Sequence, residues 1–76
     1  MNPDPFAELV TLEGMVAQGQ RAQSDRDRLI RSLIDSGVRQ AEAWRAWNEA
    51  RARHDLPPVT RAAVEAVMRR TQPTTV

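Results

Sequence analysis

Apolar residues recur at helical spacing along nearly the whole chain and never form an alternating run of the kind a half-buried strand needs. Ala, Arg, Glu, Gln and Leu dominate, and all of them favour helix. Four stripes stand out. Phe6, Leu9, Val10, Met15 and Val16 form the first. Leu29, Ile30, Leu33 and Ile34 form the second and clearest. Ala41, Trp44 and Trp47, with Ala50 or Arg51, form the third, and Val59, Ala63, Val64, Val67 and Met68 the fourth. The pattern predicts an all-α bundle of three to four helices.

Start and stop signals divide these stripes. Asp4 is placed to cap the free amides of a first helix, and Pro5 suits its first position, where no donor is required. Gln18 to Gln23 carries almost no apolar side chain. Ser24 and Asp27 make an S-x-x-D signal for a second start. Against that break stands a 3-4 spacing through Leu9, Leu12, Val16, Gly19, Gln23, Arg26, Ile30 and Leu33, which suits one long helix over residues 5–36. Both readings stay open on the pattern alone. Gly37 supplies a left-handed stop. A third helix is predicted over Arg39 to Arg53. Leu56-Pro57-Pro58 is extended, because each proline disfavours helix in the residue before it. Thr60 then caps a last helix, and the tail over residues 72–76, with Pro73 inside it, is predicted to be disordered.

At 76 residues the chain holds one domain at most, and a domain of this size buries only about 60% of its unfolded surface. There is no Cys and one His, which excludes disulfides, thiolate metal sites and multi-histidine sites. No cofactor or metal is implied. No Ser-His-Asp set, phosphate loop or paired-carboxylate cleft can be assembled, so an enzyme acting on a small-molecule substrate is not expected. Neither a signal peptide nor a membrane span is visible, and the expected location is cytoplasmic.

Charge is nearly balanced, with 11 basic and 10 acidic residues, but it is polarised. Residues 1–23 carry Asp4, Glu8 and Glu13 against Arg21 alone. Residues 57–76 carry Arg61, Arg69 and Arg70 against Glu65. Every basic residue is Arg, which is the composition of a high-G+C genome and also the side chain suited to bidentate phosphate or guanine contacts. Asp25, Arg26, Asp27, Arg28 and Arg31 read as a solvated face laced with i,i+3 and i,i+4 pairs. His54, after Arg51 and Arg53, suits the negative end of a helix dipole.

Three segments carry a family likeness: Arg26-Asp27-Arg28-Leu29-Ile30-Arg31 with Leu33 and Gly37-Val38; Gln40-Ala41-Glu42-Ala43; and Val59-Thr60-Arg61-Ala62-Ala63-Val64 with Val67-Met68-Arg69-Arg70. Residues 26–70 resemble a helix-turn-helix DNA-binding domain of small bacterial or phage regulators. The resemblance implies a trihelical core over residues 24–71, with residues 1–23 as an N-terminal helix or arm supplying a homodimer contact. It implies a last helix that enters the major groove of double-stranded DNA. Arg39, Thr60, Arg61, Glu65, Arg69 and Arg70 then form the DNA-facing set, with Arg61 at the groove entry and Arg69 and Arg70 at backbone phosphate. The chain departs from the family pattern in its long helix over residues 39–53 and in the connection His54 to Pro58.

A second reading comes from the apolar residues. Phe6, Leu9, Val10, Val16, Trp44 and Trp47 would form a docking face for a host protein, as in a small phage-type inhibitor or adaptor. Trp44 and Trp47 lie three apart on one helical face, which suits either a core or an interface. Membrane contact is not expected.

Overall fold

The computed structural model describes residues 4–72, which form four α-helices, with no strand among them. They are α1 (Pro5–Met15), α2 (Gln20–Asp35), α3 (Gln40–Arg53) and α4 (Arg61–Arg70). The all-α bundle expected from the apolar periodicity is what the chain forms. Of the predicted tail, residues 73–76 lie outside the described residues, as do residues 1–3 of the N-terminal segment.

Asp4 caps α1 as expected. Its carboxylate accepts from the Phe6 amide at 2.9 Å, with Pro5 opening the helix. The long continuous helix does not form. A single 3-10 turn over Val16–Gln18 and an extended Gly19 separate α1 from α2. The break falls where the first apolar stripe runs out after Val16, and it lets α2 fold back against α1. Ser24 is therefore not a start: α2 begins at Gln20, and Ser24 sits inside it.

Two helices end in the same kind of turn. At the end of α2, the Val38 amide donates to Leu33 O and Gly37 to Ile34 O, with Gly37 at φ 114°. At the end of α3, Leu56 donates to Arg51 O and Asp55 to Ala52 O. This pair of bonds satisfies the last free carbonyls of a helix and requires a positive φ at the residue after the cap. Gly37 meets that requirement freely. Asp55, at φ 56°, meets it with a side chain attached.

Packing runs α1 on α2 and α3, and α4 on α2 and α3, while α1 and α4 share no contact. Leu9, Ile30, Trp47, Ala50, Val64 and Val67 meet at the centre. The predicted arm is thus part of the core: Leu9 is fully buried, and Val10 packs against the same cluster. Gly14 allows α1 and the end of α3 to come close. A Cβ there would lie 2.6 Å from the His54 ring, whose Nε2 sits 2.8 Å from Val10 O.

The connection from α3 to α4 is extended, as its prolines demand. Asn48 holds it like a neighbouring backbone: its Oδ1 accepts from the Val59 amide at 2.7 Å and its Nδ2 donates to Val59 O at 3.2 Å. Trp44 Nε1 donates to the same carbonyl at 2.8 Å, and Arg51 Nε donates to Pro57 O. Thr60 stands at the N-cap position of α4, but its hydroxyl makes no capping bond.

Asp55→Gly is expected to raise stability by roughly 0.5–1 kcal/mol, because glycine takes the positive φ without the side-chain penalty. Urea unfolding at unchanged slope checks this, and a lower midpoint would show that the Asp55 side chain supports the turn.

Candidate nucleic-acid interface

All six residues of the expected DNA-facing set, Arg39, Thr60, Arg61, Glu65, Arg69 and Arg70, are exposed. Arg61, Glu65 and Arg69 lie four apart, so they share one face of α4. The opposite face buries Val64 and Val67. The structure therefore brings three of the six together on one surface. Arg39 lies apart from them, at the start of α3, and Arg70 turns toward α2.

Charge on the helices is unevenly divided. The accessible arginines of α2 and α4 are Arg21, Arg28, Arg31, Arg61, Arg69 and Arg70, against the acids Asp25, Asp35 and Glu65. On α1 and α3 the accessible acids are Glu8, Glu42 and Glu49, with Asp4 at the cap of α1, against Arg45, Arg51 and Arg53, with Arg39 at the cap of α3. The excess of positive charge therefore lies on α2 and α4, which pack on one another, while the charges of α1 and α3 balance. Arg28, Arg61 and Arg69 have no ion-pair or hydrogen-bond partner among the described residues, whereas Arg31 is paired with Asp35 at 3.1 Å and donates to Met68 O.

The expected solvated face at the start of α2 is only partly solvated. Arg28 is exposed, but Arg26 and Asp27 are buried. They belong to a chain of charges that touches all four helices. Glu13 of α1, with no side-chain exposure, accepts from Arg51 Nη1 at 2.6 Å, Arg26 Nη1 at 3.3 Å and Trp47 Nε1 at 3.3 Å. Arg26 lies over the Trp47 ring, 4.8 Å from its centroid. Its Nε and Nη2 donate to Asp27 Oδ1 at 3.1 and 2.9 Å. Asp27 Oδ2 in turn accepts from Arg70 Nε at 3.3 Å and Nη2 at 3.1 Å. No buried side-chain polar atom among the described residues lacks a partner.

Sequence reading missed this network because a charge is assigned to solvent by default. A spacing signal was nevertheless there. Glu13 lies four after Leu9, and Arg26 four before Ile30, so each extends the buried stripe of its own helix by one turn.

Two of the six residues expected on the apolar docking face are withdrawn from it by burial. Leu9 is fully buried and Trp47 is 3% exposed, because both fill the space between α1, α2 and α3. Trp44 is half-buried against the core and holds Val59. Phe6, Val10 and Val16 are also half-buried, and Phe6 lines a wide-mouthed hollow of about 560 Å³ between α1 and α3. Among the described residues, Met15 is the one large apolar side chain left exposed, at 45%.

Comparison with protein families, with characterised proteins and with solved structures finds no match. Among the described residues no helix is long and apolar enough to cross a membrane, and no three His, Cys, Asp or Glu side chains are grouped as a metal site.

Breaking the buried network from one side is expected to be costly. Glu13→Leu takes from Arg51 its one carboxylate partner among the described residues and from Arg26 one of two, the other being Asp27, and should cost about 3–5 kcal/mol. Adding Arg26→Met and Arg51→Met should restore part of that loss, since it removes the two guanidinium groups left short of a partner while Asp27 stays paired with Arg70. Urea melts of the single and triple variants check the pair, and a triple variant no more stable than the single would refute the stranded-charge account.

Proposed function

We propose that this is a small DNA-binding protein, acting as a regulator or accessory factor, that lays the solvent face of α4 and the adjoining arginines of α2 against duplex DNA. The observation that carries the reading is the basic surface shared by α2 and α4, on which Arg28, Arg61 and Arg69 are left without internal partners among the described residues. Guanidinium groups not engaged in the fold are available to phosphate at no cost in broken pairs.

The exposed face of α4 offers few side chains for reading bases. Ala62 is limited to apolar contact, for instance with a thymine methyl, and Glu65, between Arg61 and Arg69 on the same face, repels phosphate. Phosphate contact therefore supplies most of the affinity, and sequence preference rests on Arg61 at the first turn of α4. The connection of seven residues between α3 and α4 is longer than the tight turn of helix-turn-helix domains, so the resemblance contributes the docking element rather than the detailed geometry.

Duplex binding should weaken steeply with salt, log K falling by about 0.9 per phosphate neutralised for each unit of log salt. Arg61→Ala is expected to cost about 1–3 kcal/mol of binding, and Arg69→Ala to lower the salt slope by about 1 with a smaller loss. Fluorescence anisotropy on a short duplex at several salt concentrations checks both. Absence of binding by the unmodified chain at low salt would overturn the proposal.

A further inference from the structure

The buried chain of charges holds three arginines, Arg26, Arg51 and Arg70, against two carboxylates, Glu13 and Asp27. One positive charge is left over. The two ends of the chain differ in access: the Arg51 side chain is 17% exposed and also holds Pro57 O, while the Arg70 side chain is 50% exposed. The surplus charge therefore reaches solvent at Arg70.

Arg70 is also held rigidly. Its Nε and Nη2 are spent on Asp27 Oδ2, and Asp27 is itself fixed through Oδ1 by Arg26. Both oxygens of Asp27 are thus engaged, and its charge is offset from two sides. Arg70 Nη1 has no partner among the described residues and stays available for an acceptor. A hollow of about 330 Å³ opens beside it, lined by Ser24, Asp27, Arg28, Arg70 and Thr71. Thr71 Oγ1 already donates to Val67 O at 2.7 Å, whereas the Ser24 hydroxyl and the Arg28 guanidinium have no partner among the described residues.

We infer that this hollow between α2 and α4 is a binding site for a phosphoryl group, held by Arg70, Arg28 and the Ser24 hydroxyl. A guanidinium oriented by a buried carboxylate loses little freedom when it binds, which distinguishes Arg70 from Arg28 and Arg69, held by no partner among the described residues. That the phosphoryl group belongs to a DNA backbone rests on the function proposed above; the arrangement of donors does not.

The test uses the full chain and two probes, inorganic phosphate and a short DNA duplex. In a phosphate titration at constant ionic strength, the NMR Nε–Hε signals of Arg28 and Arg70 should shift saturably and those of Arg61 and Arg69 should not. Arg28→Gln, an exposed change with no pairing to lose, should keep the melting temperature and abolish the response at Arg70. The same variant should weaken duplex binding about 5- to 10-fold and lower the salt slope by about 1. Saturable shifts without any duplex binding would uphold the site and reject the DNA reading. Duplex binding that Arg28→Gln leaves unchanged, together with no phosphate-specific shift, would overturn the site while leaving the DNA reading in place.

Discussion

Everything in this fold depends on the Glu13 carboxylate being neutralised where it sits. A carboxylate without solvent contact is tolerable only when donors surround it, and here the donors come from α2 and α3. Arg26 carries the requirement on to Asp27, and Asp27 carries it to α4 through Arg70. Two helices whose backbones do not approach one another, α1 and α4, are in this way tied together by electrostatics. The small apolar centre around Leu9, Ile30, Trp47 and Val67 supplies attraction without direction, whereas the charge network accepts one arrangement of the helices.

That requirement sorts the arginines. Arg26 and Arg51 are structural, consumed by buried carboxylates. Arg31 is occupied with Asp35 and the end of α4. Arg28, Arg61 and Arg69 are left to the surface, and Arg70 joins the two groups. A nearly balanced net charge therefore conceals an uneven one, because most of the arginines without an internal partner among the described residues lie on α2 and α4. The count of charges alone carries no such information.

Much of the fold was legible in the sequence. Helical spacing located all four helices, Asp4 and Gly37 marked an end of α1 and of α2, and Val64 and Val67 announced the buried face of α4, which in turn put Arg61 and Arg69 outside. What stayed hidden was every polar residue with an interior task. Arg26 and Asp27 continue the stripe of Ile30, yet nothing in their chemistry separates a buried ion pair from a solvated one until Glu13 and Arg70 are brought near from 13 and 43 residues away. Trp47 was ambiguous for a related reason: its place under Arg26 follows from tertiary packing, not from its spacing to Trp44. The start of α2 was misplaced because polar Gln20 to Gln23 continue a helix without contributing to a stripe.

The pairing of Asn48 with Val59 has a mechanical meaning for the basic surface. A side-chain amide that gives and takes with both peptide groups of a single residue acts as a hinge pin, and this pin stands two residues before Arg61. It fixes the direction from which the chain enters α4, so the spacing between the arginines of α2 and those of α4 is set from α3, a helix that presents none of them. A ligand with regularly spaced charges recognises that spacing as much as the charges themselves. Loosening the pin would leave every guanidinium in place on its helix and still blur the pattern they make together, turning a rigid template into an average over orientations.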